Sequence, residues 1–435
     1  MQSNILHRIQ LALGGNTALV IGYLLLAIIL IEGCLVIYLT LRRIYFQREQ
    51  QRLTRECLRL QVKAAALQCR EAEQGRLVWN GYRKFRVVKK VKECHGVCSF
   101  YLKPHDGKPL PPYKPGQYIT FQLNLPGQSK PLIRCYSLSD SPHRGDYYRV
   151  TIKKEPAPPD KPGVPPGLAS TYFTDVVKEG DILDVKAPAG NFCLDLAKET
   201  PVVLVGGGVG VTPMLSMAHA IAANAARREV WFFFGARNSK EHIHKDEMLK
   251  LAAEHENIRL HVCYSRPDEN DKKGVDYHHE GRITVDLMKE LLPSNNYEFY
   301  LCGNGAFMNS ISEGLEAWGV PDKNVYFEAF GPATVKKKAA VQAPEPAVTS
   351  KGFDVTFSKS GKRSKWYASS GSLLDFANAE GVKIDCGCRA GSCGSCLVAI
   401  KSGDVEYVSE PGEKPESGSC LTCICRPKGD LVLDA

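Results

Sequence analysis

The chain has no internal repeat and no low-complexity excess, with Gly 38 and Pro 26 among 435 residues, so repeat arrays and collagen-like polymers are excluded. Acidic residues are the scarcer sign: 47 Asp+Glu against 56 Lys+Arg leave a formal charge of +9. A basic surplus raises the question of nucleic acid. Much of it, however, sits in Arg42, Arg43, Arg48, Arg52, Arg55, Arg59, Lys63 and Arg70, directly after a hydrophobic run, which points to a membrane face and to no nucleic-acid partner. Cysteine is sparse until the end of the chain. Seven of the 16 cysteines, Cys386, Cys388, Cys393, Cys396, Cys420, Cys423 and Cys425, fall in the last fifty residues, and such crowding points to a metal site. Hydrophobic residues at 44% and charged residues at 24% exclude wholesale disorder, and at roughly 150 residues per domain the length allows about three folded units. A single small binding module is excluded.

Residues 18–41 form an apolar run of 24 residues whose sole Asp, Glu, Lys or Arg is Glu32. As a helix the run would extend ~36 Å, enough to cross a ~30 Å hydrocarbon layer. A cleaved signal peptide fits poorly, because no small-x-small cleavage site closes the run. Ile31 to Cys34 faintly resembles a lipoprotein box, but Glu32 is wrong there and the run continues past Cys34. A buried core helix is the other alternative. Only His7 and Arg8 precede the run, whereas Arg42, Arg43, Arg48, Arg52 and Arg55 follow it. That asymmetry predicts a single-pass protein of the cell inner membrane with its bulk in the cytoplasm. Leu53, Cys57, Leu60, Ala64 and Leu67 continue a helical stripe at steps of four and three. Residues 1–76 are therefore read as a transmembrane anchor followed by a charged helix.

From Leu77 the pattern changes to short alternating runs broken by Pro and Gly, at 82–91, 117–123, 147–153 and 182–187, which predicts an antiparallel barrel over 77–199. Strands and helices then alternate. Strands at 202–205, 230–234, 259–264 and 298–302, with a helix at 214–225 after the first, predict an α/β unit with a parallel sheet over 200–332. Residues 333–351 are small, charged and Pro-containing and read as a linker; as a flexible coil its 19 residues would average ~24 Å end to end. Residues 352–435 form a small β-rich unit carrying the cysteine cluster. The expected fold is multidomain.

Cys388, Cys393 and Cys396 with the distant Cys423 fit the C-x4-C-x2-C…C spacing that holds a [2Fe-2S] cluster. Gly391 and Gly394 let the backbone fold tightly between the thiolates. Tetrahedral zinc on Cys393, Cys396, Cys420 and Cys423 is the alternative, but 23 residues between the pairs exceed the usual interval and Cys388 would be left without a role. The segment from Leu421 to Pro427, L-T-C-x-x-x-P, resembles plant-type ferredoxins, and so does the whole of 352–435. The resemblance implies a β-grasp fold and favours Cys423 over Cys425 as fourth ligand.

Within the barrel, Arg134-Cys135-Tyr136-Ser137 follows Pro115-Gly116-Gln117-Tyr118. Arg supplies a cation and a fork of donors for a phosphate, Tyr a ring for stacking, and Ser a hydroxyl. Together with Gly167-Leu168-Ala169-Ser170-Thr171 these residues resemble the flavin-binding segments of the ferredoxin-NADP reductase family. The resemblance implies that Tyr118, Arg134, Tyr136, Ser137, Gly167, Ala169 and Ser170 contact the flavin, with Ser137 near its N5. In the α/β unit a strand feeds Gly206-Gly207-Gly208-Val209-Gly210-Val211-Thr212. The turn departs from G-x-G-x-x-G, since Val211 stands where the third Gly would fall, but it is similar to that family's nicotinamide loop, which assigns 207–212 to nicotinamide binding. Tyr300 to Gly305 resembles the family's C-G segment, whose thiol, here Cys302, lies near the carbon that gives up hydride. Tyr326 to Pro332 resembles the terminal segment of flavohaemoglobin-type reductases, in which Phe330 would stack on the flavin and Glu328 would tune it. On that resemblance Ser137, Cys302 and Glu328 are the catalytic residues, and FAD is expected in preference to FMN.

No acidic residue ends the strand at 230–234, and Arg237 or Arg266 is placed to meet a 2′-phosphate, which alone favours NADPH. Against it, Tyr264-Ser265-Arg266-Pro267 also resembles NADH-using flavohaemoglobins, and Asp268 and Glu269 would repel a doubly charged phosphate. NADH is the expected donor. The first 76 residues are too few for a haem fold, so nitric oxide dioxygenation is not expected. The resemblances imply a reductase passing hydride from NADH (or NADPH) to FAD and single electrons to the [2Fe-2S] cluster. The implied partners are the lipid bilayer and a membrane-bound redox acceptor protein, such as an oxygenase, desaturase or cytochrome. A quinone reductase is a second reading, although in the known kind the ferredoxin precedes the reductase. A non-catalytic redox sensor is a third.

Overall fold

The computed structural model describes residues 3–128, 130–157, 163, 165–224, 228–330, 352–387, 389, 391, 394–408, 411 and 415–435, without the side chains of 3–18, 63–64, 66–76 and 329. The expected linker at 333–351 lies outside the described residues. The chain divides into two compact units, Met1–Gly75 and Arg76–Ala435.

The first unit is built on a single helix, α1 (Ser3–Leu77). It contains no proline, so no backbone N–H is missing from its ladder. The apolar run forms its first half, and none of the candidate span beginning at Leu19 is buried inside the protein. The stripe expected after the run is helical as well, and Leu53 and Leu60 point outward at 58% and 63% exposure.

In the second unit the barrel consists of β1 (Arg83–Cys94), β2 (Val97–Pro104), β3 (Tyr118–Leu123), β4 (Leu132–Ser137), β5 (Tyr148–Lys153) and β6 (Ile182–Ala189). All are antiparallel, in the order β4-β3-β6-β1-β2-β5. A bridge between Leu138 and Val150 ties the end of β4 to β5 and closes the sheet on itself. Phe85, Phe100, Phe121 and Val150, which belong to alternating strand positions, fill the interior without solvent contact. Between β5 and β6 lie the short helix α2 (Leu168–Thr171) and a wider turn over Tyr172–Val176.

The parallel sheet uses β7 (Val202–Gly207), β8 (Val230–Ala236), β9 (Ile258–Tyr264), β10 (His279–Glu280), β11 (Glu298–Gly303) and β12 (Val325–Ala329) in the order β10-β9-β8-β7-β11-β12. Helices α3 (Val211–Ala223) and α4 (Lys245–Glu254) cover one face, and α5 (Val285–Leu291) and α6 (Gly305–Ala317) the other. Strand alternation explains the layering: Val202 and Leu204 pack with α3 and α4, Val203 and Val205 with α5 and α6. Helix α3 begins at Val211, three residues before the expected start, and ends at Ala223. Pro213 falls in the first helical turn, where a proline gives up an N–H that has no partner anyway. The expected terminal segment adds a sixth strand, β12, beside β11.

The last part is a mixed sheet of β13 (Phe353–Phe357), β14 (Lys362–Trp366), β15 (Leu397–Ser402), β17 (Ser419–Leu421) and β19 (Leu431–Leu433), ordered β14-β13-β19-β15-β17. β16 (Val405–Tyr407) and β18 (Cys425–Pro427) form a separate ribbon. Its core joins α7 (Leu373–Ala379) to the sheet through Leu373, Phe376, Phe357 and Leu433, and the central pair β13 and β19 is parallel.

Candidate functional site

The register of β3 and β4 places Tyr118 directly opposite Ser137, and Phe121 opposite Arg134. Tyr118 is buried, and its ring lies against Gly190, where a Cβ would come within 2.9 Å of it. Tyr136 packs its ring edge-on to Phe121 and Phe173, at 5.8 and 5.3 Å between centroids, and this burial pushes its phenol up. Arg134 is exposed and donates to the carbonyl of Ile133 at 2.7 Å. Among the described residues no carboxylate lies within ion-pair reach of it, so its charge is available to a phosphate.

Gly167 leads into α2, where Ser170 Oγ accepts from the N–H of Glu155 and donates to the Gly167 carbonyl, both at 3.0 Å. These bonds fold the loop back on itself. The first-turn N–H groups around Ala169 and Ser170 then lack helical acceptors, as at any helix start.

In the parallel sheet the glycine turn is dictated by close approach. Gly208 has φ +55, and a Cβ on Gly210 would stand 2.2 Å from the carbonyl oxygen of Cys302. Val209 carries its carbonyl to the Thr212 hydroxyl at 3.0 Å, while Val211 and Thr212 are buried at the start of α3. Gly207 lies against the ring of Phe307. On the neighbouring strand pair Cys302 stands in register with Glu328.

The two halves meet here: Ser137 Oγ of the barrel donates to Glu328 Oε2 of β12 at 3.4 Å. Glu328 keeps some solvent contact, yet protein crowds its carboxyl, and that desolvation, only partly offset by Ser137, pushes it up to about 7. Cys302 is fully buried, and burial together with the neighbouring Glu328 raises its thiol well above the ordinary value. The site therefore holds a thiol and a carboxyl that titrates near neutrality. Phe330 follows on β12, its N–H bonded to the Gly303 carbonyl at 3.1 Å and its ring partly buried.

Arg237 and Arg266 are both exposed, on the loops after β8 and β9, which are joined by the bond from the Arg266 N–H to the Arg237 carbonyl at 2.9 Å. Arg237 is paired with Glu241 at 3.1 Å, and Lys240 with Asp268 at 2.8 Å. Among the described residues Arg266 has no ion pair.

In the C-terminal part the sulfurs of Cys396 and Cys423 lie 3.1 Å apart. Thr422 holds the two segments together, its N–H and hydroxyl both bonding the Cys396 carbonyl, at 3.1 and 3.0 Å. Gly391 has φ +72, and a Cβ there would come within 2.3 Å of Ile424. Cys388 and Cys393 lie outside the described residues. Cys420 and Cys425 are fully buried in its core, where contact with Cys420 pushes Cys425 up, and Cys386 packs partly buried against it.

Residues 84–193 match the oxidoreductase FAD-binding domain family, 204–313 the oxidoreductase NAD-binding domain family, and 361–428 the 2Fe-2S iron-sulfur cluster binding domain family. The crystal structure of the flavohem-like FAD/NAD binding domain of nitric oxide dioxygenase from Vibrio cholerae O1 biovar El Tor is similar to 58% of this chain and 100% of its own, at 34% identity and TM-score 0.51. The chain belongs to the FAD- and NAD-binding oxidoreductases. This reductase is 41% identical over 263 residues to a flavohemoprotein of Halalkalibacterium halodurans, covering 60% of the chain and 63% of the relative. It spans less than two thirds of that relative's length. An intact type IV self-sufficient cytochrome P450 monooxygenase shares its fold with 81% of the reductase and 41% of its own chain, at 22% identity and TM-score 0.51.

With its three matched domains the reductase is a flavin iron-sulfur oxidoreductase whose cofactors are FAD, NADH and a [2Fe-2S] cluster. Its residues fit those groups. Gly190 makes room for the Tyr118 ring where a side chain would collide with it, and the sulfurs of Cys396 and Cys423 converge beside a glycine loop. The sequence pattern did not reveal Gly190 or the polar joint between barrel and parallel sheet. Those depend on contacts between segments far apart in the chain.

Proposed function

We propose that the reductase takes hydride from NADH, passes single electrons from FAD to the [2Fe-2S] cluster, and delivers them to a membrane-associated oxygenase, desaturase or cytochrome. The observation that carries this reading is the Ser137–Glu328 contact beside Cys302, since it joins the flavin barrel to the nicotinamide unit at one point. Bound FAD accepts a two-electron hydride and releases electrons one at a time, which suits a one-electron cluster. Ser137 presents a hydroxyl, Cys302 a buried neutral thiol, and Glu328 a carboxyl able to hold or release a proton near pH 7. Arg134, with the Gly167–Ser170 loop, binds phosphate, and residues 207–212 admit the dinucleotide backbone. Cys388, Cys393, Cys396 and Cys423 hold the irons.

The carboxylates of Glu241 and Asp268 in this patch support NADH over NADPH, because a 2′-phosphate would face them as well as the arginines. The exposed apolar half of α1 supports a single-pass anchor in the inner membrane, with the body on the cytoplasmic side that Arg42 to Arg55 favour. An anchored donor meets a membrane-bound acceptor at raised effective concentration. A P450 monooxygenase that contains this fold supports an oxygenase-type acceptor.

The test is Cys393→Ser in the full chain. It should lose iron and the electron paramagnetic resonance signal that NADH evokes, while NADH-to-ferricyanide turnover persists. Stoichiometric zinc without sulfide in the unmodified protein would refute the cluster. Pull-down from native membranes would then name the acceptor.

A further inference from the structure

A second set of contacts joins the barrel to the parallel-sheet unit, and none of its members touches Ser137 or Glu328. Arg149 of β5, only 4% exposed, donates through both terminal nitrogens to the two oxygens of Glu247 on α4, each at 2.9 Å. The same carboxylate bonds His219 Nε2 of α3 at 2.7 Å and faces His244 Nδ1 at 3.0 Å. The other His244 nitrogen meets Thr151 Oγ1 of β5 at 2.9 Å, and Thr151 bonds the Ser139 hydroxyl at 2.9 Å. Arg149 Nε returns to that hydroxyl at 3.2 Å. The bonds form a closed circuit that crosses between the two units twice.

The backbone bears a mark of the same joint. His244 has φ +54, one of two non-glycine residues among those described with a positive φ, and it is buried. A histidine takes that conformation only at a cost in free energy, which the contacts of its ring offset. Burial alone would push the Glu247 carboxyl up, but the bonds from His219 and His244 and the charge of Arg149 outweigh it and hold Glu247 well below the usual carboxylate range. Asp140, His219 and Glu247 bring metal-ligand atoms within 4.8 Å of one another. The Arg149 guanidinium already occupies that carboxylate and lies 3.9 Å from Asp140, so a cation is in place without a metal.

The position of the circuit gives it a use. Ser139 lies two residues after Ser137 on one segment, and His219 lies on α3, the helix that springs from the glycine turn at 206–210. We propose that the Glu247–Arg149 joint is a positioning device for hydride transfer, fixing how the nicotinamide unit seats on the flavin barrel and hence the distance between donor and acceptor. The proposal rests on the NADH-to-flavin reading above. Arg149, His244 and Glu247 are positioning residues and touch no reacting atom.

Rapid mixing of NADH, or NADH deuterated at C4, with flavin-loaded full chain under anaerobic conditions tests it. Glu247→Gln should slow the limiting rate of flavin reduction about tenfold, raise the primary deuterium isotope effect, and change half-saturation by NADH less than about threefold. Arg149→Gln should do the same, and the double variant should be no slower than either single one, because both remove one joint. His244→Asn, in which Asn tolerates the left-handed backbone, serves if the others fail to load flavin, with a slowing of about threefold expected. An unchanged limiting rate and isotope effect in a flavin-loaded variant overturns the proposal, as does a rise in half-saturation alone. Failure of the unmodified chain to reduce its flavin with NADH would instead overturn the parent reading, and this one with it.

Discussion

In α1 the apolar side chains face outward, with Leu19, Ile29 and Tyr45 at 58%, 66% and 70% exposure, whereas the body turns charges inward, with Arg149, Arg228 and Glu298 at 4%, 5% and 4%. Both placements oppose the usual sorting, and both demand compensation. For the buried charges the compensation is inside the protein and can be named: Arg228 meets Glu298 at 2.7 Å and the carbonyls of Thr200 and Asp195. Lys198 and Tyr326 bond the same carboxylate. In the apolar helix none of the candidate span is buried. On the anchor proposed above, lipid has the length and polarity to supply its complement.

Removing residues 1–76 breaks the comparison most severely. The shortened reductase should leave the membrane fraction entirely while retaining NADH-to-ferricyanide turnover, checked by fractionation and steady-state assay. Retention in the membrane would assign the anchor elsewhere. A smaller effect is expected from Arg228→Met, which strips a buried carboxylate of its main partner. Such losses run at about 3–5 kcal/mol, and the remaining Lys198 and Tyr326 contacts place this one near the lower end, read from urea unfolding.

Glu328 sharpens the contrast with the smallest effect. It is a crowded carboxyl with no cation beside it, and its pKa is raised from 4.5 to about 7. The folded protein therefore binds a proton that the unfolded chain has released, so its stabilising contribution is complete below pH 4.5 and is lost as pH rises through 7. Glu328→Gln should flatten that part of the stability profile by about 1–2 kcal/mol, the partial solvent access reducing the effect. An identical profile in the variant would show that Glu328 is ionised throughout.

Much of this was legible in the chain itself, for physical reasons. The barrel strands announce themselves as short β-rich runs broken by Pro and Gly, with period-two burial at the starts of β1 and β6, and the glycine turn at 206–210 by spacing that a close backbone approach requires. Helix α3 starts three residues before Met214, because the tight turn at 208–210 runs directly into it. The Ser137–Glu328 contact joins residues 191 positions apart, and the Arg149–Glu247 joint residues 98 apart. Neither partner marks the other in sequence. Only the fold decides which distant charges become neighbours.

The sheet of the C-terminal part ends on one side at β14, an open edge that carries Lys362, Arg363 and Lys365 as exposed charges. An uncovered strand is a template for pairing with an identical strand, and like charges along it oppose that pairing. Copies of the electron carrier brought close together are thus discouraged from zipping edge to edge into fibres or inactive pairs. Repulsion between equals keeps each carrier free for an unlike partner.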